Sequence, residues 1–143
     1  IASLVVVTNS VRIADVLEGH GRSDWTVILT GGVRTPSDAL VGPVAEQSLR
    51  TLNLDAVFLG THGVSARAGF MSPNLAESET NRVFIEAAGR LVVLADYTKW
   101  NVSGLSSFAR LDEPSAVISD TRLSAEAQDC FRERHTTLHL VNA

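Results

Sequence analysis

The residues best equipped for chemistry are Asp96-Tyr97-Thr98-Lys99, which set a carboxylate, a phenol, a hydroxyl and an ammonium within four positions. Lys99 offers a compact point charge for a phosphate, and Asp96 can hold hydroxyls or orient Lys99. The same residues also suit an ordinary polar loop with a local ion pair, and both readings stay open. Four other segments share this polar character. Thr8-Asn9-Ser10 supplies hydroxyls and, at a helix start, unpaired N–H groups that favour an anion; Asn9 or Ser10 can equally be a plain helix cap. Thr30-Gly31-Gly32 allows positive φ or close backbone approach, and Arg34 nearby can pair with a phosphate or carboxylate or lie solvated on the surface. Gly60-Thr61-His62-Gly63 leads into a long segment in which His62 can donate to a ligand or titrate near neutral pH. Ser119-Asp120 closes the set. Glu77 either contacts sugar hydroxyls or simply complements the dipole of the helix it opens.

Other chemistries find little support. There is no GxSxG elbow, no GxGxxG fingerprint and no Walker loop. Cys130 falls inside a helical stretch and is expected to be packed. His20, His62, His135 and His139 have no metal-binding spacing, so neither a metal nor a cofactor is expected. Twelve basic residues against sixteen acidic ones give a net charge of −4, which leaves no electrostatic footprint for DNA; any DNA contact must come from another segment. A single cysteine forbids an intrachain disulfide and fits a reducing compartment, so a cytoplasmic location is expected. No apolar run is long enough to span a membrane, and Ile1–Val7 lacks the basic leader and cleavage site of a signal peptide. The start at Ile1 rather than Met suggests a piece of something longer.

The elements that must position these residues alternate between short β-branched runs and longer amphipathic ones. Strands are expected at Leu4–Val7, Thr26–Leu29, Ala56–Leu59, Leu91–Ala95, Ala116–Ile118 and Thr136–Val141. Helices are expected over Asn9–Gly19, with Val11, Ala14, Val16 and Leu17 on one side, from Pro43 to about Leu52, over Leu75–Ala88 behind Ser72 or Asn74, and from Ser124 through Arg134. Val33–Leu40 and Gly60–Pro73 read as loops, and Asp96–Phe108 as mostly loop with one short turn. Tyr97 and Trp100 can pack over the site or over the core. Strands separated by helices predict one α/β domain: a mainly parallel sheet with helices on both faces, a Rossmann-like three-layer sandwich. In such sheets ligands bind beyond the carboxyl ends of the strands, where all five polar segments fall.

Taken in order, these motifs resemble the C-terminal sensor domain of DeoR-family transcription regulators. The likeness is carried by VVTNSVRIADVL (6–17), LTGGVRTPSDALVGPVAEQSL (29–49), LDAVFLGTHGV (54–64), AESETNRVFIEAAGRLVVLADYTKW (76–100) and AVISD (116–120). It implies a fold similar to ribose-5-phosphate isomerase and glucosamine-6-phosphate deaminase, a phosphorylated sugar or related metabolite as effector, and a homo-oligomer. It also implies an N-terminal winged helix-turn-helix, outside residues 1–143, that holds operator DNA. A preceding strand with an Asp-Gly-x-Thr-Thr-like phosphate loop is expected upstream of Ile1. Thr8, Asn9 and Ser10 match the family's Thr-Asn-Ser, Gly31 and Gly32 its Gly-Gly, Glu77 the glutamate of the next helix, and Asp96 and Lys99 its Asp-x-Ser-Lys, with Thr98 for serine. With Arg34, Gly60, His62 and Gly63 these form the expected ligand site. His62 stands where an aspartate is often found, which argues against acid–base catalysis of the isomerase kind. The expected role is therefore a binding module; the alternative is a sugar-phosphate isomerase or deaminase-like enzyme, with Glu77 or Asp96 as base and Lys99 as electrostatic stabiliser.

Overall fold

A computed structural model describes all residues from Ile1 to Ala143. The chain divides into two compact units, Ile1–Leu52 and Asn53–Ala143.

In the first unit, two β-branched runs form the parallel pair β1 (Leu4–Thr8) and β2 (Trp25–Leu29), in register from Leu4 opposite Trp25 to Thr8 opposite Leu29. Helix α1 (Val11–Gly19) connects them. Ser10 is its N-cap, the hydroxyl accepting from the Ile13 N–H at 3.3 Å. The expected core stripe of α1 is incomplete: Val11, Ala14 and Leu17 are half-buried, but Val16 is exposed. The segment expected to be a loop from Val33 to Leu40 carries a small antiparallel hairpin, β3 (Val33–Arg34) with β4 (Leu40–Val41). Its strands are too short to leave a periodic signal. Helix α2 (Pro43–Leu49) starts on Pro43, whose missing N–H costs nothing at that position. It buries Ala45 and Leu49 and ends earlier than the Leu52 expected from the sequence.

In the second unit, β5 (Val57–Gly60), β8 (Leu91–Leu94), β10 (Ala116–Asp120) and β11 (Leu138–Val141) form a parallel sheet in the order β11-β10-β8-β5. Helix α3 (Leu75–Ala87) lies between β5 and β8 in the chain, and α4 (Ala125–Glu133) between β10 and β11. The architecture is the mixed α/β kind expected, a Rossmann-like arrangement of parallel strands and helices. Side chains alternate along these strands: Val57, Leu59, Leu91, Val93 and Val117 are buried, whereas Phe58 and Leu94, pointing the other way, are exposed.

The long segment after β5 is not a loop. β6 (Gly63–Ser65), β7 (Gly69–Ser72) and β9 (Ser106–Ala109) form a second, antiparallel sheet in the order β6-β7-β9. Its drive is burial: Val64, Phe70, Met71 and Phe108 are all removed from water. Phe70 lies between Phe108 and Phe131, each at a centroid distance of 6.4 Å, and Trp100 tilts onto Phe131 at 5.9 Å. Trp100 therefore packs on the core. Cys130, on α4, is half-buried.

Candidate functional site

In the first unit the polar residues gather where β1 and β2 end. The parallel register brings Thr8 beside Leu29, and the Thr30 N–H donates to the Thr8 carbonyl at 3.1 Å. Thr8 is buried, and its hydroxyl accepts from the Ser10 N–H at 3.1 Å. The Asn9 amide donates to the Leu40 carbonyl at 3.0 Å. Each side chain of Thr8-Asn9-Ser10 thus has a local structural partner, and Ser10 rather than Asn9 caps the helix. Gly32 has φ +124°, and a Cβ there would lie 2.7 Å from the Val41 carbonyl oxygen. Its glycine is required by close packing of β4. Arg34 does not stand as an unpaired cation. It grips Asp38 at 2.7 Å, and Arg12 holds the other oxygen of the same carboxylate at 2.8 Å. The two guanidinium groups, Arg12 first, hold the Asp38 carboxyl below its usual range. The Asp38 carbonyl accepts from the Val11 N–H, so this cluster sits at the start of α1.

In the second unit the parallel strands deliver Gly60, Asp96 and Asp120 to one end of the sheet. Asp96 caps a 3₁₀ turn, Tyr97–Lys99. Its Oδ1 accepts from the Thr98 hydroxyl and, at 2.8 Å, from the Thr98 N–H. These bonds, the hydroxyl's foremost, hold the Asp96 carboxyl below the usual range, and Lys99 adds to the effect. Asp96 thus organises the turn, and it forms no ion pair with Lys99. Lys99 is half-buried and its ammonium has no carboxylate within ion-pair distance.

Backbone pairing places His62 and Gly63 beside that turn. Val64 bridges Trp100, and the Asn101 N–H donates to the Val64 carbonyl at 2.8 Å. Gly63 permits the approach: a Cβ there would stand 2.0 Å from the Val102 carbonyl oxygen. Gly60 meets no such obstacle. His62 is exposed, and its backbone N–H donates to the Met71 carbonyl at 3.1 Å. One residue further along β7, the Ser72 hydroxyl donates to Glu77 Oε2 at 3.1 Å, and the Glu77 N–H is capped by Asn74 at 3.0 Å. Asn74 is thus the cap of α3, while the Ser72 hydroxyl accepts from the Asn74 N–H.

Asp120, from the fifth polar segment but not among the expected ligand-site residues, and Arg122 complete this end of the sheet. Asp120 is buried. Its Oδ2 accepts from the Tyr97 N–H at 2.9 Å and its Oδ1 from the Arg122 N–H and Nε at 3.0 and 2.9 Å. Burial pushes the Asp120 carboxyl up, but these hydrogen bonds outweigh it and the net shift is downward. The Arg122 guanidinium lies 4.2 Å from the Tyr97 ring centroid, so Tyr97 faces the strand ends while Trp100 faces the core. The sequence signal was half present: Asp120 ends a β-branched run. Its link to a turn 23 residues earlier was not visible. Two surface clefts of this unit, about 340 and 250 Å³, lie elsewhere, around Arg82 and Glu113 and around Arg67 and Arg134.

An α/β fold with a polar rim at its strand ends defines a class of small-molecule-binding domains. The DeoR C terminal sensor domain model matches residues 1–121, and the chain belongs to that family. It is 35% identical over 128 residues to the HTH-type transcriptional regulator GlpR of Haloferax volcanii, covering 89% of this chain and 49% of the relative. It is 29% identical over 140 residues to a putative aga operon transcriptional repressor of Escherichia coli O157:H7, covering 96% and 51%. The glycerol-3-phosphate regulon repressor of Escherichia coli K12 is 22% identical over 140 residues, covering 97% and 55%. The chain thus spans about half the length of the curated relatives it matches, and those relatives are transcription regulators. No helix is long and apolar enough to cross a membrane.

Proposed function

We propose that this chain is the effector-sensing part of a cytoplasmic, homo-oligomeric transcription repressor, and that its effector is a phosphorylated sugar or related metabolite. Operator DNA would be held by a winged helix-turn-helix in the other half of the protein, and the strand and phosphate loop expected before Ile1 would complete the effector site. The observation that carries the reading is Lys99. It is a half-buried cation on a capped turn at the carboxyl end of a parallel sheet, with no carboxylate partner of its own. A phosphate supplies the missing counter-charge. Asp96 Oδ2 accepts no hydrogen bond from the protein and is open to a sugar hydroxyl. Glu77 is engaged by Ser72 and His62 is exposed, which supports a binding role over an enzymic one. Such an effector would control DNA binding by favouring one arrangement of the whole regulator over another.

A thermal-shift screen of sugar and polyol phosphates tests the proposal. A ligand present at one hundred times its Kd stabilises the protein by roughly 2.7 kcal/mol, a shift of several degrees. Lys99→Ala is expected to abolish that shift. No stabilisation by any phosphorylated probe, or full affinity in Lys99→Ala, overturns the site. Sustained turnover of a sugar phosphate overturns the binding-module reading.

A further inference from the structure

We propose that Arg122 is a second anion-binding cation at the strand-end rim, acting beside Lys99 on the phosphate of a monophosphorylated polyol; this rests on the sensor reading above. Arg122 follows β10, and its side chain is 57% exposed, whereas that of its partner Asp120 is 3% exposed. The buried carboxylate takes the Arg122 Nε and N–H, and the Tyr97 ring lies against the guanidinium face. Both Nη groups are left without a partner in the protein. A guanidinium held at Nε and along one face has its orientation fixed before a ligand arrives, and the two Nη groups form the fork that matches phosphate oxygens.

Asp120 also ties this fork to Lys99. Its second oxygen holds the Tyr97 N–H, and Tyr97 opens the turn that ends in Lys99. One buried carboxylate therefore holds the Arg122 side chain and the first residue of the Lys99 turn across the ends of β8 and β10. Three other exposed arginines turn to a carboxylate or share one: Arg12 and Arg34 share Asp38, and Arg110 grips Asp112, while Arg22, held by Asp24 and the Trp25 ring, belongs to the first unit. Charge at the rim is balanced, with Lys99 and Arg122 against Asp96 and Asp120. Balanced charge suits a ligand carrying one phosphate and several hydroxyls: Nη and Nζ donors for the phosphate, and the open Asp96 oxygen for a hydroxyl.

The test is isothermal titration of the whole chain with glycerol 3-phosphate, fructose 6-phosphate and inorganic phosphate, with glycerol as the uncharged control. Lys99→Ala, Arg122→Ala and Arg122→Lys are compared with the unaltered protein. Arg122→Ala is expected to weaken the phosphorylated probe that binds best by roughly ten- to hundredfold, the range for a lost charge-assisted hydrogen bond, without creating affinity for glycerol. Arg122→Lys should recover part of the loss, since it restores charge without the fork. If Arg122→Ala lowers the melting temperature, Arg122→Gln, titrated well below its own melting point, gives the same reading. Binding within twofold of the unaltered protein in Arg122→Ala, with binding lost in Lys99→Ala, overturns the role of Arg122 and leaves the sensor reading standing. No binding of any phosphorylated probe by the unaltered protein overturns both.

Discussion

Ser10 carries one of the two roles that its segment suggests. Thr8-Asn9-Ser10 was open to anion binding and to capping, and the structure gives the serine hydroxyl to the Ile13 N–H of α1. A cap of this kind contributes about 1 kcal/mol, so Ser10→Ala should lose about that much in denaturant unfolding without any ligand. Unchanged stability would leave the hydroxyl without a structural role. Asp96 illustrates a different outcome. It was legible as part of a polar cluster with Lys99, but its oxygen serves the Thr98 N–H and hydroxyl. Spacing of one to three residues brought these groups together, and only the turn's geometry could say which of them pair. Arg122 lay outside the expected site altogether, because its place depends on Asp120 reaching back to Tyr97. A contact of that sequence separation leaves no trace in local pattern.

At the scale of elements, the parallel strands were readable because β-branched runs such as Leu4–Val7 and Leu91–Leu94 are continuous and bounded by polar residues. The antiparallel sheet of β6, β7 and β9 was not. Its strands are three or four residues long and begin or end on glycine and serine, and β9 pairs with β7 from more than thirty residues away. Glycine there reads locally as a turn signal, whereas Gly63 in fact lets β6 lie against the backbone at Val102. Gly63→Ala should therefore destabilise the protein by about 3 kcal/mol, the upper end of overpacking costs. Gly60→Ala, with open space around its Cβ, should stay within about 0.5 kcal/mol of the parent. Equal costs for the two, measured by denaturant unfolding, would contradict the close approach.

For the whole molecule, the shifted carboxylates set the response to acid. Asp24, Asp38, Asp96 and Asp120 are all held below their ordinary range. A depressed carboxylate contributes stability that is fully present above the unfolded value of about 3.9 and is lost as pH falls through the folded value. Calorimetric melting temperatures should therefore hold steady with respect to these groups down to about pH 4 and fall below it. Asp38→Asn should make that fall shallower; a loss beginning near pH 6 would point to other titrating groups. The placement of the two tryptophans has a practical corollary. Trp25 belongs to the first unit and Trp100 to the second, directly after Lys99 and against Phe131. Residues 1–143 thus carry one tryptophan in each unit. With Trp25→Phe, the remaining emission comes from a ring adjoining the Lys99 turn, so ligand titrations and unfolding of that unit can be followed optically without an added label.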